Sequence, residues 1–209
     1  MVVPVIGLDH LTLPLLTYSQ EARYGEQMKS ARAAATGVAH GRFQPLHIGH
    51  LEYLLASKQR CRVLVIGITN PDPSAIVFEP TDARRGVESA NPFTYYERYL
   101  MVEGALVAAG VPRNEFRIVP FPHSFPERLR NYAPANARYF ITIYDEWGET
   151  KLSRLRDLGL DVEVLWRRDA KVTSGSEIRR RIRQGLPWAH LVPPGVAETT
   201  GAAWGEGSE

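Results

Sequence analysis

The 209-residue chain is short of several things. It has one cysteine, Cys61. That excludes an internal disulfide framework and a multi-cysteine zinc site. Within Arg60-Cys61-Arg62-Val63-Leu64 it reads as a plain thiol near the start of a strand. No apolar run reaches the ~18 residues that a membrane helix needs. The first residues, Met-Val-Val-Pro-Val-Ile-Gly, carry no basic leader, and Asp9 interrupts them. A signal peptide is therefore not expected, and the expected location is the cytoplasm. The chain also lacks a charge excess: 25 Lys+Arg oppose 23 Asp+Glu, for a formal net charge of +2. Proteins that coat nucleic acid usually carry a large basic surplus, so neither a nucleic-acid nor a membrane partner is expected. Lysine is scarce too. Lys29, Lys58, Lys151 and Lys171 are the only four, and the other basic residues are arginine. Genome composition explains most of that bias. Arginine's planar fork nevertheless suits phosphate, so its position near a motif matters.

What is present is an ordinary globular composition, 44% apolar and 23% charged, in a chain long enough for one sizeable core. Residues 1–36 read differently from the rest. An aperiodic apolar stretch is followed by helix formers over 19–35, with Ser19 as a cap and Gly25 as a weak point, and we expect an N-terminal appendage there. From residue 37 the pattern alternates. Strands are expected at 38–39, 63–68, 116–119, 139–144 and 162–166. Helices are expected at 46–57, 94–109, 151–158 and 176–184. Thr94 and Glu97 form a capping box at the start of the second, and Gly110 and Pro112 stop it. Residues 69–92, with four prolines, read as a long loop. Strands alternating with helices predict an α/β fold with a parallel sheet of about five strands flanked by helices. A domain over 37–198 and a flexible tail or truncated linker over 199–209 complete the expected organisation.

Two strings carry chemistry. The first is Gly41-Arg42-Phe43-Gln44-Pro45-Leu46-His47-Ile48-Gly49-His50, directly after a strand and opening a helix. His47 and His50, spaced i, i+3, are expected on one face of the first turn. A helix N-terminus presents free N–H groups and partial positive charge, which suit phosphate. Gly41 allows a bend, Gly49 allows close approach of a ligand, and Arg42 adds a cation. A metal site is the other use of such a His pair, but no third ligand stands nearby. The second string, Thr173-Ser174-Gly175-Ser176-Glu177-Ile178-Arg179, opens the last core helix. Ser174 and Glu177 fit a capping box, and helix initiation alone would account for them. Paired with the first string, Ser174, Gly175, Ser176 and Arg179 read as the other jaw on a triphosphate.

These strings resemble the motifs of the HxGH nucleotidyltransferases. His47-Ile-Gly-His50 is similar to the first motif, and Ser174-Gly-Ser-Glu-Ile-Arg179 to the second. Within that superfamily, Gly41-Arg-Phe-Gln-Pro45 and Asn91-Pro-Phe-Thr94 with Glu97-Arg98 look like the archaeal-type nicotinamide mononucleotide adenylyltransferases. The resemblance implies a Rossmann-like fold and attack by an acceptor phosphate on the α-phosphate of a nucleoside triphosphate. It also implies pyrophosphate release and Mg²⁺; because no cluster of carboxylates in the sequence stands ready for the ion, it is expected to ride on the triphosphate, with no metal ligands from the protein. It assigns the nucleotide to Gly41, Arg42, Phe43, His47, Gly49, His50, Ser174, Gly175, Ser176 and Arg179. His47, His50, Arg42 and Arg179 would be catalytic, and Arg98 would lie near the reacting phosphates.

The acceptor side departs from the adenylyltransferases. Thr69-Asn70-Pro71-Asp72 and Tyr144-Asp145-Glu146-Trp147-Gly148 stand at strand C-termini, where α/β ligands bind. This is similar to the cytidylyltransferase domain of fosfomycin-type phosphonate biosynthesis, which passes CMP from CTP to 2-hydroxyethylphosphonate. The expected acceptor residues are Thr69, Asn70, Arg98, Tyr144, Asp145 and Trp147. Turn, cap or core roles remain open for Asn70, Asp145 and Trp147. The expected partners are CTP or ATP and a small phosphonate or phosphate, with a homo-oligomer or a fused second domain also conceivable. ATP:nicotinamide mononucleotide adenylyl transfer is the alternative reaction.

Overall fold

The computed structural model describes residues 33–72 and 87–205. The helix expected at 19–35 and most of the 1–36 appendage lie outside the described residues, as does the middle of the 69–92 loop. Within them, five strands form one parallel sheet in the order β3-β2-β1-β4-β5. They are β1 Ala34–Gly41, β2 Cys61–Thr69, β3 Phe116–Phe121, β4 Arg138–Ile143 and β5 Asp161–Arg167. The helices are α1 Ile48–Lys58, α2 Tyr95–Ala108, α3 Glu146–Asp157, α4 Gly175–Arg183 and α5 Val196–Gly205. This is the expected Rossmann-like fold.

The sheet is buried on both faces, which explains the near-continuous apolar strand sequences. Leu64, Ile66, Ile68 and Phe140 join one core with Tyr53, Leu54, Met101, Leu106 and Ile178. Val38, Val65, Tyr139, Ile141 and Ile143 face the other core, with Phe121, Leu152 and Leu155. The alternation of side chains across each strand divides them this way. Gly67 sits where a Cβ would collide with the Phe121 ring, so that ring can lie over β2 only with glycine there. Cys61 opens β2 and is buried, and burial pushes its thiol up to about 11. It is a packing residue, not an activated thiolate.

Four expectations are corrected. The first strand spans eight residues and begins at Ala34, inside the segment assigned to the appendage. The first helix starts at Ile48, not at 46, because Leu46 is a core residue and His47 is the N-cap. The third helix starts at Glu146, five residues before 151, because Asp145 caps it by accepting from the Gly148 N–H at 3.0 Å. Residues 199–205, read as a tail, belong to α5, which packs against α2 and buries Val196. The α2 capping box is present as expected, with Thr94 and Glu97 bonded reciprocally. At α4, only half of the expected box forms. Ser174 accepts from the Glu177 N–H at 3.2 Å, but the Glu177 carboxylate turns to Arg180 and Arg181.

Candidate active site

β1 lies between β2 and β4, and the chain crosses from one side of the sheet to the other at this point. Ligands of open α/β sheets bind in the crevice outside the strand C-termini at such a switch point. β1 and β4 pair only over Gly37–Ala39 and Arg138–Phe140. Beyond that the strands part, and Tyr53 of α1 replaces the ladder. Its hydroxyl accepts from the His40 N–H at 3.1 Å and donates to the Phe140 carbonyl at 2.6 Å. A cavity of about 880 Å³ opens above this gap.

Both helix N-termini named by the motifs face the cavity. His47 has extended backbone and caps α1, with its Nδ1 accepting the His50 N–H at 3.2 Å. A nitrogen that accepts has no proton, so the His47 proton is on Nε2, the remaining donor. Burial, reinforced by the charge of Lys171, lowers the His47 pKa to about 4, so the ring is neutral near pH 7. The His50 ring stacks on it with centroids 3.6 Å apart. Gly49 lies beside this stack, and a Cβ there would touch the His47 ring at 3.4 Å.

The second jaw is locked to the first. Arg179, buried in α4, donates from Nη1 to the Gln44 carbonyl and from Nη2 to Ser176 Oγ at 3.1 Å. Gly175 packs so closely on Gln44 that a Cβ would overlap its carbonyl. Gln44 in turn clamps the 91–94 segment: its side chain donates to the Phe93 carbonyl at 2.8 Å and accepts the Phe93 N–H at 2.9 Å.

Most expected residues line this cavity: Gly41, Arg42, His47, Gly49, His50, Ser174, Gly175, Ser176 and Arg179, with Tyr144, Asp145 and Trp147 on the acceptor side. Four do not. Phe43 is wholly buried, with a φ of 51°, and its ring supports His50 edge-on at 5.0 Å. It holds the imidazole from below, on the core side. Arg98 is only 2% exposed. Its guanidinium donates to the carbonyls of Thr94, Arg42, Thr69 and Asn70 at 3.1, 3.1, 2.7 and 2.8 Å. Thr69 and Asn70 are thereby held by Arg98 and are absent from the cavity lining, and Asn70 takes a φ of 50° as the strand turns away. Arg98 thus ties the end of β2 to the first motif, because a buried cation must spend its donors on acceptors.

Several cavity residues went unseen in the sequence: His40, Tyr53, Lys151, Lys171 and Arg183; Gln44 and Thr173 stood in the two strings without an assigned role. Lys171 pairs with Asp145 at 2.8 Å. His40 Nδ1 and Thr173 Oγ1 are buried and have no hydrogen-bond partner among the described residues. Polar groups so placed call for a ligand or water. Among the described residues, no group of three His, Cys, Asp or Glu side chains could hold a metal ion.

Residues 38–181 match the family model described as cytidylyltransferase-like. The chain belongs to the cytidylyltransferase-like family. It is 64% identical over 170 residues to the phosphonoformate cytidylyltransferase of Streptomyces viridochromogenes, covering 81% of this chain and 92% of that relative. It is 31% identical to the nicotinamide-nucleotide adenylyltransferase of Thermococcus kodakarensis over 78% of this chain and 80% of the other. In fold it is similar to the bifunctional NMN adenylyltransferase/ADP ribose pyrophosphatase of Francisella tularensis, with a TM-score of 0.55 at 20% identity. That match covers 76% of this chain and 45% of the longer one. With this membership, the protein is a nucleotidyltransferase enzyme. Among the described residues, no helix is long and apolar enough to cross a membrane.

Proposed function

We propose that the enzyme transfers CMP from CTP to a small phosphonate, with phosphonoformate the first acceptor to test and 2-hydroxyethylphosphonate the second. The observation that carries this reading is the convergence of two helix N-termini, α1 and α4, on one cavity, tied by the Arg179–Gln44 bond with the His47–His50 pair between them. The 64% identity to a phosphonoformate cytidylyltransferase supports the choice of donor and acceptor.

In this mechanism the triphosphate lies across the N–H groups of both helices, where fixed dipoles favour anions. A phosphonate oxygen attacks the α-phosphorus of CTP in line. The new bond joins phosphonate oxygen to α-phosphorus, the bond from α-phosphorus to the bridging oxygen breaks, and pyrophosphate leaves with that electron pair. No covalent enzyme intermediate is needed. Neutral His47 donates from Nε2 toward the oxygen on which charge grows, and His50 and Arg42 act beside it. Arg179 holds the α4 jaw and adds charge at the same mouth. Ser174 and Ser176 supply the hydroxyls at the start of α4. Nucleotidyltransferases of this family use a divalent cation. We propose that it is Mg²⁺, entering as part of the MgCTP substrate. Asp145, the only carboxylate among the described residues that line the cavity, already pairs with Lys171 and caps α3.

Pyrophosphate release tests the reading. Release with MgCTP plus phosphonoformate or 2-hydroxyethylphosphonate, and none with MgATP plus nicotinamide mononucleotide, is expected. The reverse result would make the enzyme an adenylyltransferase of NAD synthesis instead. No release with any acceptor would leave a nucleotide-binding module without transfer.

A further inference from the structure

We infer that Lys151 and His40, at the floor of the cleft, form a subsite for a second anionic group on the acceptor and select phosphonates that carry a carboxylate. This rests on the reading of the enzyme as a CTP:phosphonate cytidylyltransferase and names what discriminates among its acceptors.

The triphosphate end of the cleft has its own cations and dipoles. Arg42 and His47 belong to the loop after β1, His50 to the first turn of α1 and Arg179 to α4. Lys151 belongs to none of these. It sits in the second turn of α3, four residues after Trp147, so the two share one face of that helix. Trp147 is buried and both line the cavity, which turns this face inward. Lys151 is half-buried there. Its apolar stem can be buried at little cost while its ammonium stays at the cleft.

His40 stands on β1 two residues before Arg42, so its position is close to the reacting phosphates. Its ring stacks on Phe121 at 4.6 Å, which fixes the imidazole plane. Its Nδ1 is buried without a hydrogen-bond partner among the described residues. Lys151 is near enough for its charge to lower the His40 pKa, after the larger effect of burial and with a smaller one from His123. One further cation, Arg154, stands beside the pair. The His123 ring lies 5.4 Å from the Trp147 ring, and the Arg154 guanidinium lies 5.2 Å above it.

An acceptor whose two anions sit on neighbouring atoms needs a donor at each: Arg42 stands at one, and the Lys151 ammonium, with the uncharged His40 imidazole beside it, at the other.

The test compares Lys151→Gln with the unmodified enzyme, using MgCTP and either phosphonoformate or methylphosphonate, which lacks the carboxylate. The unmodified enzyme is expected to favour phosphonoformate in kcat/KM. Lys151→Gln should reduce that preference at least 30-fold, with the KM for CTP unchanged within twofold, and Lys151→Arg should restore most of it. His40→Asn, which keeps a polar group at the strand end, should reduce the preference in the same direction and provides a second variant if the first folds poorly. An unchanged preference in Lys151→Gln, or a parallel loss on both acceptors, would overturn the inference. So would an unmodified enzyme that uses methylphosphonate as well as phosphonoformate, although CTP-dependent transfer to phosphonates would then still stand. No CTP-dependent pyrophosphate release with either acceptor would remove the underlying reading, and the inference with it.

Discussion

Arg179 of α4 donates to the backbone carbonyl of Gln44, joining two segments 135 residues apart in sequence. Gly175 makes the contact possible, since any side chain there would strike the same carbonyl. Gly175→Ala should therefore push α4 away from the first motif. Turnover should fall at least tenfold and Tm by several degrees, because overpacking of this kind typically costs 1–3 kcal/mol. Steady-state kinetics and a thermal melt on one preparation would show both. Unchanged turnover would mean that the jaws need not touch.

His47 has two tasks, capping α1 and presenting Nε2, and one substitution separates them. Asparagine is among the best N-caps. His47→Asn should keep Tm within about 2 °C while kcat falls by 10²-fold or more, the size expected when a donor to developing charge is lost. His50→Ala should abolish turnover with the fold intact. Wild-type-like rates in either variant would remove the imidazole pair from the mechanism.

Arg98 is expected to act on stability rather than on phosphate. Arg98→Met would leave four backbone carbonyls without their shared donor, and each buried group left unpaired costs about 1–3 kcal/mol. A large fall in Tm is expected, with the KM for acceptor little changed in whatever protein stays folded. Arg98→Lys should recover only part of the loss, because an ammonium cannot reproduce the planar fork. A raised acceptor KM at unchanged Tm would return Arg98 to the acceptor site.

Acid should destabilise the ligand-free protein before its carboxylates titrate. Unfolded, His47 takes a proton near pH 6.5. Folded, it does so only near pH 4, chiefly because it is buried and secondarily because of Lys171. The stabilisation is complete above pH 6.5 and is lost as the pH falls toward 4, on the order of 3 kcal/mol for this one group. His40 is shifted in the same direction, by burial first and then by Lys151 and His123. Chemical denaturation at pH 7 and pH 5 should show the drop, and His47→Asn should show less of it.

Much of this was legible in the chain. The apolar runs placed five parallel strands because a sheet covered on both faces must be apolar throughout. The two motifs placed the mouth of the cavity because glycine, histidine and hydroxyl residues at helix starts have few other reasons to recur together. Arg98 could not be read. The carbonyls that bury it come from three separate segments and meet only in the folded state. Phe43 looked like part of the motif's ligand surface, yet the positive φ at that residue turns its ring into the core. Lys151 was hidden by a single error. Once Asp145 is taken as the cap of α3, Trp147 and Lys151 fall on one face, and the face becomes visible. His40 and Lys171 belong to no motif, and only the fold brings them together.

The gap between β1 and β4 is spanned by one phenol. Tyr53 takes the hydrogen bonds that would otherwise draw the strands together, and its ring sets the distance between them. The cleft is therefore propped open in advance by a spacer of fixed length. An incoming nucleotide does not have to separate the strands or strip their backbone groups of partners. The ordering cost that weakens many binding sites has already been met in folding, and the free energy of phosphate contact remains available for the reaction.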